Sequence, residues 1–447
     1  MFSSLKVKSF RVYWFGMFIS LIGTWIQIVA QSWLVFQLTN SAFLLGVVGF
    51  LSSIPVFLLS LFGGVLADRL NKRNILIATQ SAFMLLAFLL AVFTQLKLVT
   101  PYQIMFIALL NGVVMAFDAP ARQAMVVELV GKDYLFNAIA LNSIAFNSSR
   151  IIGPALAGVL VATIGMSGCF YINGISFLPL IIALFFIRVN PVRDKAPKAT
   201  DGCLQQPISN GVNKYTASDK KIAFGDNSKV RFSVVRKVFY TFLYHKNNTA
   251  WRDLKEALIF IRNNRLILVL ITMTGVVSLF GIAYVIFMPI FANDILKVGV
   301  QGLAMLMSSA GLGALIAALL LARLGDFKYK GKLLVLASFI FSLSLVLFSL
   351  SKIYLLSLIA LLFIGGSSVT AIALINTILQ TKVPNEFMGR VMGVYMLTFF
   401  GILPFGNLIA GSLAEALGIS FTIMLSGIIC GLFFAIINII YPEIRNA

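Results

Sequence analysis

Long apolar stretches are the feature that most restricts the fold of this sequence. A helix needs about 20 apolar residues to cross a bilayer core, and only helices and closed barrels satisfy every backbone polar group there. We find twelve stretches of that kind, which predict an all-α membrane protein with twelve transmembrane helices. Their predicted limits are 13–37, 43–67, 74–96, 101–123, 138–163, 168–188, 266–290, 301–323, 332–351, 354–379, 390–413 and 419–441.

The composition supports a membrane chain and offers little for catalysis. Hydrophobic residues make up 60% of the sequence and charged residues 11%, against about a quarter charged in soluble domains. Three cysteines lie far apart and there is one histidine, so zinc sites and histidine-based chemistry lack the necessary side chains. No phosphate-binding loop of the ATPase type is present. We predict that the protein is not an enzyme and uses no cofactor or metal.

The positive charge is concentrated in alternate connections between the predicted helices. A net charge of +20 could indicate nucleic-acid binding, but lysine and arginine cluster in every second connection. The connections between these hold only Lys97, Lys297 and Lys352. This is the bias expected when basic loops stay in the cytoplasm. It predicts that both termini are cytoplasmic and that nucleic acid is not a partner.

The chain divides into four predicted regions. Residues 1–189 and 266–447 each hold six predicted helices, and the polar residues 190–250 form a cytoplasmic linker between them. Residues 251–265 alternate polar and apolar side chains at helical spacing, which predicts an amphipathic helix at the membrane surface.

An internal repeat relates the two halves. Three glycines of the first half recur at a constant offset in the second: Gly153, Gly158 and Gly165 as Gly406, Gly411 and Gly418. Two related six-helix bundles joined by a linker are typical of transporters built from parallel repeats.

The stretch GGVLADRLNKRN (63–74) resembles the loop signature between the second and third helices of the major facilitator superfamily. The resemblance implies a gate that locks cytoplasmic helix ends through ion pairs, which form and break between conformations. In the second half a weaker copy, ARLGDFKYKGK (322–332), has Phe327 where Arg69 would stand. The implied gate residues are Gly64, Asp68, Arg69, Lys72, Arg73 and, from the second copy, Asp326.

Further stretches resemble the DHA3-type exporters, which include macrolide efflux pumps and the enterobactin exporter. They are FDAPARQ (117–123), NGISFLP (173–179), MPIFANDIL (288–296) and NSSRIIGPALAG (147–158). The last is similar to an antiporter signature through Gly153, Pro154 and Gly158, and the resemblance implies export. Small residues allow close helix packing, and proline bends the helix.

Three charged residues lie inside predicted helices, where a charge costs about 2.5–3.5 kcal/mol on insertion scales. Asp118 and Arg122 are four residues apart on one helix, and Arg150 is a second candidate partner for Asp118. Two readings remain open. The group is a structural ion pair that holds helices together, or Asp118 binds and releases a proton that drives the conformational change.

A set of polar and aromatic residues in the predicted helices is expected to line a central cavity: Gln27, Gln31, Asn142, Asn376 and Tyr395. Such a lining suits bulky amphipathic molecules. We therefore expect a monomeric transporter, surrounded by lipid in the inner (cytoplasmic) membrane, that exports an amphipathic drug or siderophore in exchange for protons. The alternatives are an importer of a nutrient or lipid, and a membrane receptor or assembly partner that transports nothing.

Overall fold

The computed structural model describes residues 3–131, 134–187, 247–325 and 327–446, and these ranges contain helices and no strand. The α-helices are α1 (Lys8–Thr39), α2 (Ala42–Arg69), α3 (Lys72–Gln95), α4 (Pro101–Val130), α5 (Leu135–Ser176), α6 (Leu178–Phe186), α7 (Asn247–Asn263), α8 (Arg265–Val276), α9 (Gly299–Leu324), α10 (Lys330–Leu350), α11 (Tyr354–Lys382), α12 (Asn385–Leu417) and α13 (Ile419–Ile440).

Eleven helical stretches in the described ranges are long and apolar enough to cross a membrane. Ten of them each contain one predicted span, and the remaining stretch, Leu135–Phe186, contains two. Its 52 residues would extend roughly 78 Å as one helix, against about 30 Å for a bilayer core. Gly165 interrupts it with φ 73° and ψ −179°, a conformation that is essentially restricted to glycine. The break at Gly165 lies between the predicted spans 138–163 and 168–188.

The stretch Arg265–Ile295 departs from regular helix after α8. Its second half, which we call the irregular segment 277–295, contains two π-helical turns and one 3-10 turn. Pro289 lies in this segment and lacks a backbone N–H. Irregular backbone at membrane depth is tolerated where protein buries it or where it lines a cavity.

The predicted linker falls almost entirely outside the described residues. Backbone contacts divide the chain into one compact unit of Met1–Asn190 with Phe260–Ala447 and a second unit, Pro191–Ile259. The amphipathic helix predicted over 251–265 is α7, which begins at Asn247 and ends at Asn263, before α8 starts at Arg265.

Glycines bring the helices of the larger unit into close contact. A Cβ at Gly153 would press on Trp25 and Ile22 of α1, and one at Gly406 would meet the carbonyl oxygens of residues 278 and 279. A Cβ at Gly158 would lie 2.8 Å from Ala304 of α9. A Cβ at Gly411 would lie 3.0 Å from the Cα of Gly46 of α2.

The contact between α2 and α12 covers only part of the two helices. It begins where Glu415 accepts hydrogen bonds from the Ser41 hydroxyl and the Phe43 amide, at 3.0 and 3.1 Å. It continues to Phe57, which packs on Gly401. Beyond that point, Cβ positions built at Gly64, Gly389 and Gly393 have no atom within 4 Å. The two helices therefore meet near Ser41 and separate towards the side that carries the N-terminus.

A matched pair of glycine-to-alanine changes tests the close helix packing. In Gly313→Ala the new methyl would collide with the Leu362 carbonyl oxygen of α11, whereas Gly393→Ala adds a methyl in open space. We expect Gly313→Ala to destabilise the protein by about 1–3 kcal/mol and lower its melting temperature. Gly393→Ala should leave the melting temperature unchanged or slightly higher, since alanine favours a helix. Thermal unfolding of both variants in detergent measures this, and equal melting temperatures would contradict the packing described.

Candidate functional site

A cavity of about 320 Å³ lies between helices from the first and second halves of the sequence. Its volume is at the lower end of the range for small-molecule sites. Residues of α1, α2, α5, the irregular segment 277–295, α9 and α12 line it: Trp25, Gly49, Ser52, Arg150, Ile282, Tyr284, Val285, Ile286, Met288, Met307, Ala310, Leu403 and Asn407.

Pro154 and Gly153 position Arg150 in this cavity. Proline has no N–H to donate to the carbonyl four residues earlier, so the Arg150 carbonyl loses its helical partner. Gly311 of α9 lies against that carbonyl, where a Cβ would be 2.6 Å from the oxygen. The Ser308 hydroxyl donates to the next carbonyl, that of Ile151, at 3.0 Å. Helix α9 therefore packs directly on the α5 backbone at Arg150 and Ile151.

The Arg150 guanidinium contacts an aromatic ring but forms no ion pair with a described acidic residue. Its Cζ lies 5.6 Å from the centroid of the Trp25 ring. Such a contact contributes about 0.5–2 kcal/mol, less than the about 2.5–3.5 kcal/mol that insertion scales assign to a buried arginine. The other polar side chains of the lining, those of Ser52, Tyr284 and Asn407, are neutral. The positive charge of Arg150 is thus uncompensated among the residues that line the cavity.

Asp118 belongs to a separate buried cluster that joins α3 to α4. Its side chain is 1% exposed. One carboxylate oxygen accepts from the Thr79 hydroxyl at 2.8 Å and the Gln80 amide at 2.7 Å. The other accepts from Nε and Nη2 of Arg122 at 3.0 and 2.7 Å. Both oxygens are satisfied in this conformation, as expected for a buried ion pair.

Two buried polar atoms near this ion pair have no hydrogen-bond partner. They are the second terminal nitrogen of Arg122 and the Tyr13 hydroxyl of α1.

From the sequence alone, Arg150 is a second candidate partner for Asp118. The structure instead places Arg150 in the cavity and gives Asp118 to Arg122.

The gate residues lie around the end of α2 and the start of α3. Asp68 and Arg69 are exposed and make no ion pair with any described residue. Lys72 pairs with Glu128 of α4 at 2.7 Å, and Arg73 donates to the Phe185 carbonyl at 2.8 Å. Gly64 faces open space, and Asp326 lies outside the described residues.

None of the five residues expected to line the cavity is among its lining residues. Gln27 is buried and bonds to Gln31 at 3.2 Å and to Asn173 at 2.6 Å. Asn376 accepts from Gln380 at 3.1 Å. Tyr395 is 3% exposed, and the Asn142 side-chain oxygen is buried without a partner. In the structure Gln27, Gln31 and Asn376 form hydrogen bonds within and between helices.

The irregular segment 277–295 contributes to the cavity lining, although none of its residues is among those predicted to do so. It supplies five lining residues, Ile282, Tyr284, Val285, Ile286 and Met288. A usable signal was present, since Gly281 and Pro289 interrupt an apolar span, and interrupted spans are pointers to binding sites in transporters.

Comparison with known proteins identifies the family. The chain matches the family model described as transmembrane secretion effector over residues 1–225 and 244–446. It is 27% identical to the staphyloferrin A transporter of Staphylococcus aureus, over 92% of this chain and 91% of that protein. It is 22% identical to the enterobactin exporter EntS of Citrobacter koseri, over 97% of this chain and 90% of that protein.

A solved structure supports the same fold. A bacterial homologue of the human lysosomal transporter Spinster, in an inward-facing and unoccupied conformation, superimposes with a TM-score of 0.68. The two share 12% sequence identity, with 98% of each chain covered. The family match and the relatives named above confirm the resemblance to DHA3-type exporters. The chain belongs to the transmembrane secretion effector family of the major facilitator superfamily and is a multi-pass membrane transporter, not an enzyme.

Proposed function

We propose that this transporter exports an amphipathic small molecule from the cytoplasm by alternating access, with the 320 Å³ cavity as its binding site. The observation that carries the proposal is the one-sided contact between α2 and α12. These helices meet near Ser41 and Glu415 and separate towards Gly64 and Gly393. A cavity between two bundles that are closed on one side is what a rocking mechanism requires.

The orientation of the cavity in the membrane is inferred from the charge distribution. Basic residues cluster in the connections on the side of the N-terminus, which supports a cytoplasmic position for both termini. The cavity would then be closed towards the outside and loaded from the cytoplasm. We place the protein in the cytoplasmic membrane as a monomer surrounded by lipid. Its relatives named for staphyloferrin A and enterobactin support a siderophore-like or drug-like substrate.

The glycine contacts support two six-helix bundles related by an internal repeat. Gly153 packs on α1, and Gly406 packs on residues 278 and 279 at the start of the irregular segment. These are equivalent positions under the sequence repeat. The interruption at Gly165 supports a count of twelve crossings, six in each bundle.

The gate residues act on opposite sides in this mechanism. Glu415 holds the outer side closed by capping the start of α2, where the helix dipole favours a negative charge. Asp68, Arg69 and Arg73, with Asp326 from the second half, would pair when the cytoplasmic side closes. Asp68 and Arg69 are exposed and free of ion pairs with described residues, as expected for a gate that is open.

We further propose that protons supply the energy, with Asp118 as the residue that binds and releases them. It is the one carboxylate among the buried residues of the described ranges. Protonation would break its pairing with Arg122 and so weaken the connection of α3 with α4.

The export proposal is tested with proteoliposomes that contain the purified transporter. An imposed proton gradient should drive a siderophore or macrolide out of the compartment that faces the cytoplasmic side, and an uncoupler should abolish the movement. Asp68→Asn should slow transport at least several-fold. Transport only in the uptake direction would contradict export, and an unaltered cellular phenotype in both Asp68→Asn and Asp118→Asn would favour a non-transporting role.

Glu415→Gln tests the outer gate. Glutamine keeps the shape but removes the negative charge at the α2 N-terminus, an interaction worth about 0.3–1 kcal/mol. We expect the population open to the outside to rise about two- to fivefold. Distances between spin labels on the outer ends of α2 and α12 measure this. Glu386→Gln, at the exposed opposite end of α12, is the control and should leave the distances unchanged.

Asp118→Asn separates proton coupling from a purely structural ion pair. Loss of one partner of a buried pair costs about 3–5 kcal/mol, so the melting temperature should fall in either case. If Asp118 couples protons, gradient-driven transport is lost while exchange of substrate for substrate persists. A parallel loss of both activities would mean that the cluster only holds the helices together.

A further inference from the structure

We infer that the substrate of this transporter carries an anionic group, a carboxylate or a group of similar charge, and that Arg150 binds it inside the cavity. This inference rests on the proposed transport function and adds to it the charge class of the substrate. The cavity contains a half-buried cation with no acidic residue in its lining. Arg150 takes part in neither of the ion pairs found within the membrane helices, Lys72 with Glu128 and Asp118 with Arg122.

The position of Arg150 is built by the surrounding helices. Its backbone carbonyl lies against Gly311 of α9, and Ser308 of α9 donates a hydrogen bond to the next carbonyl, that of Ile151. Its guanidinium lies over the Trp25 ring, which Gly153 allows to approach α5. A planar cation held in place by an aromatic face loses little conformational freedom when it binds a carboxylate through two hydrogen bonds.

The rest of the lining suits the remainder of such a molecule. Tyr284 lines the same cavity as Arg150. Asn407 and Ser52 supply neutral hydrogen-bonding groups, and most other lining residues are apolar. In a cavity with low-dielectric walls, one uncompensated positive charge attracts an anion and disfavours a cation. The chemistry indicates an amphipathic organic acid.

The binding test uses matched sets of small aromatic molecules that differ in charge. Naphthylacetate, naphthylacetamide and naphthylethylamine share a ring system, and phenyl and indolyl analogues extend the set. Dissociation constants are measured by calorimetry with the full-length transporter in phosphatidylcholine nanodiscs. We expect the acids to bind about tenfold or more tightly than the amides, and the amines most weakly. Equal binding of amides or amines, or no binding of any acid, overturns the inference.

Substitutions at Arg150 connect the preference to this side chain. Arg150→Gln should remove the preference for acids while the amides bind as before, and Arg150→Lys should keep part of it. Arg323→Gln removes an exposed arginine of α9 outside this cavity and should bind as wild type. An acid preference that survives in Arg150→Gln overturns the assignment. If Arg150→Gln does not fold, the comparison of wild type with Arg150→Lys still decides.

Two further arms identify the source of the anion and separate this inference from the export proposal. Nanodiscs with added phosphatidylglycerol should bind the acids with unchanged affinity, and complete displacement by this lipid would assign the site to a headgroup and overturn the substrate assignment. Transport is then followed with the same probes. Arg150-dependent binding without net transport would leave the anion site intact and remove the export proposal. Net transport of amides that is unaffected in Arg150→Gln would leave the export proposal intact and remove the anion site.

Discussion

The contact of α5 with α1 and α9 is the constraint on which the cavity depends. At Gly153 the backbone of α5 lies against Trp25, and Pro154 leaves the Arg150 carbonyl without its helical partner. Helix α9 approaches that carbonyl through Gly311 and donates a hydrogen bond from Ser308 to the next one. A carbonyl left without its helical partner is thus covered by a neighbouring helix, as the membrane interior requires.

This arrangement separates the two charged sites of the membrane domain. Asp118 and Arg122 neutralise each other within a network that includes Thr79 and Gln80, so that site needs no ligand for charge balance. Arg150 has an aromatic neighbour and neutral polar ones, so its site needs a ligand for charge balance. The difference assigns the two sites different work in the proposed mechanism: energy coupling at the first and substrate recognition at the second.

The closure of the cavity near Ser41 has a modest physical basis. Close contact between Gly46 and Gly411 needs no side-chain rearrangement, and Glu415 adds two hydrogen bonds at the start of α2. Interactions of this size can be exceeded by the binding of a substrate or a proton. A transporter needs such near-balance between its states, because a ligand shifts an equilibrium only by its difference in affinity for the two states.

The sequence by itself determined the helical class, the position of nearly every membrane-crossing stretch and the family, because long apolar runs and their flanking charges are local properties of the chain. It also selected Asp118, Arg122 and Arg150 as unusual, since each charge is costly at its depth. Only the tertiary structure decided which of them pair. It placed Arg150 beside Trp25 and kept Gln27, Asn376 and Tyr395 out of the cavity lining. Those outcomes depend on which helix faces meet, and helical periodicity alone does not fix how one helix is rotated against another.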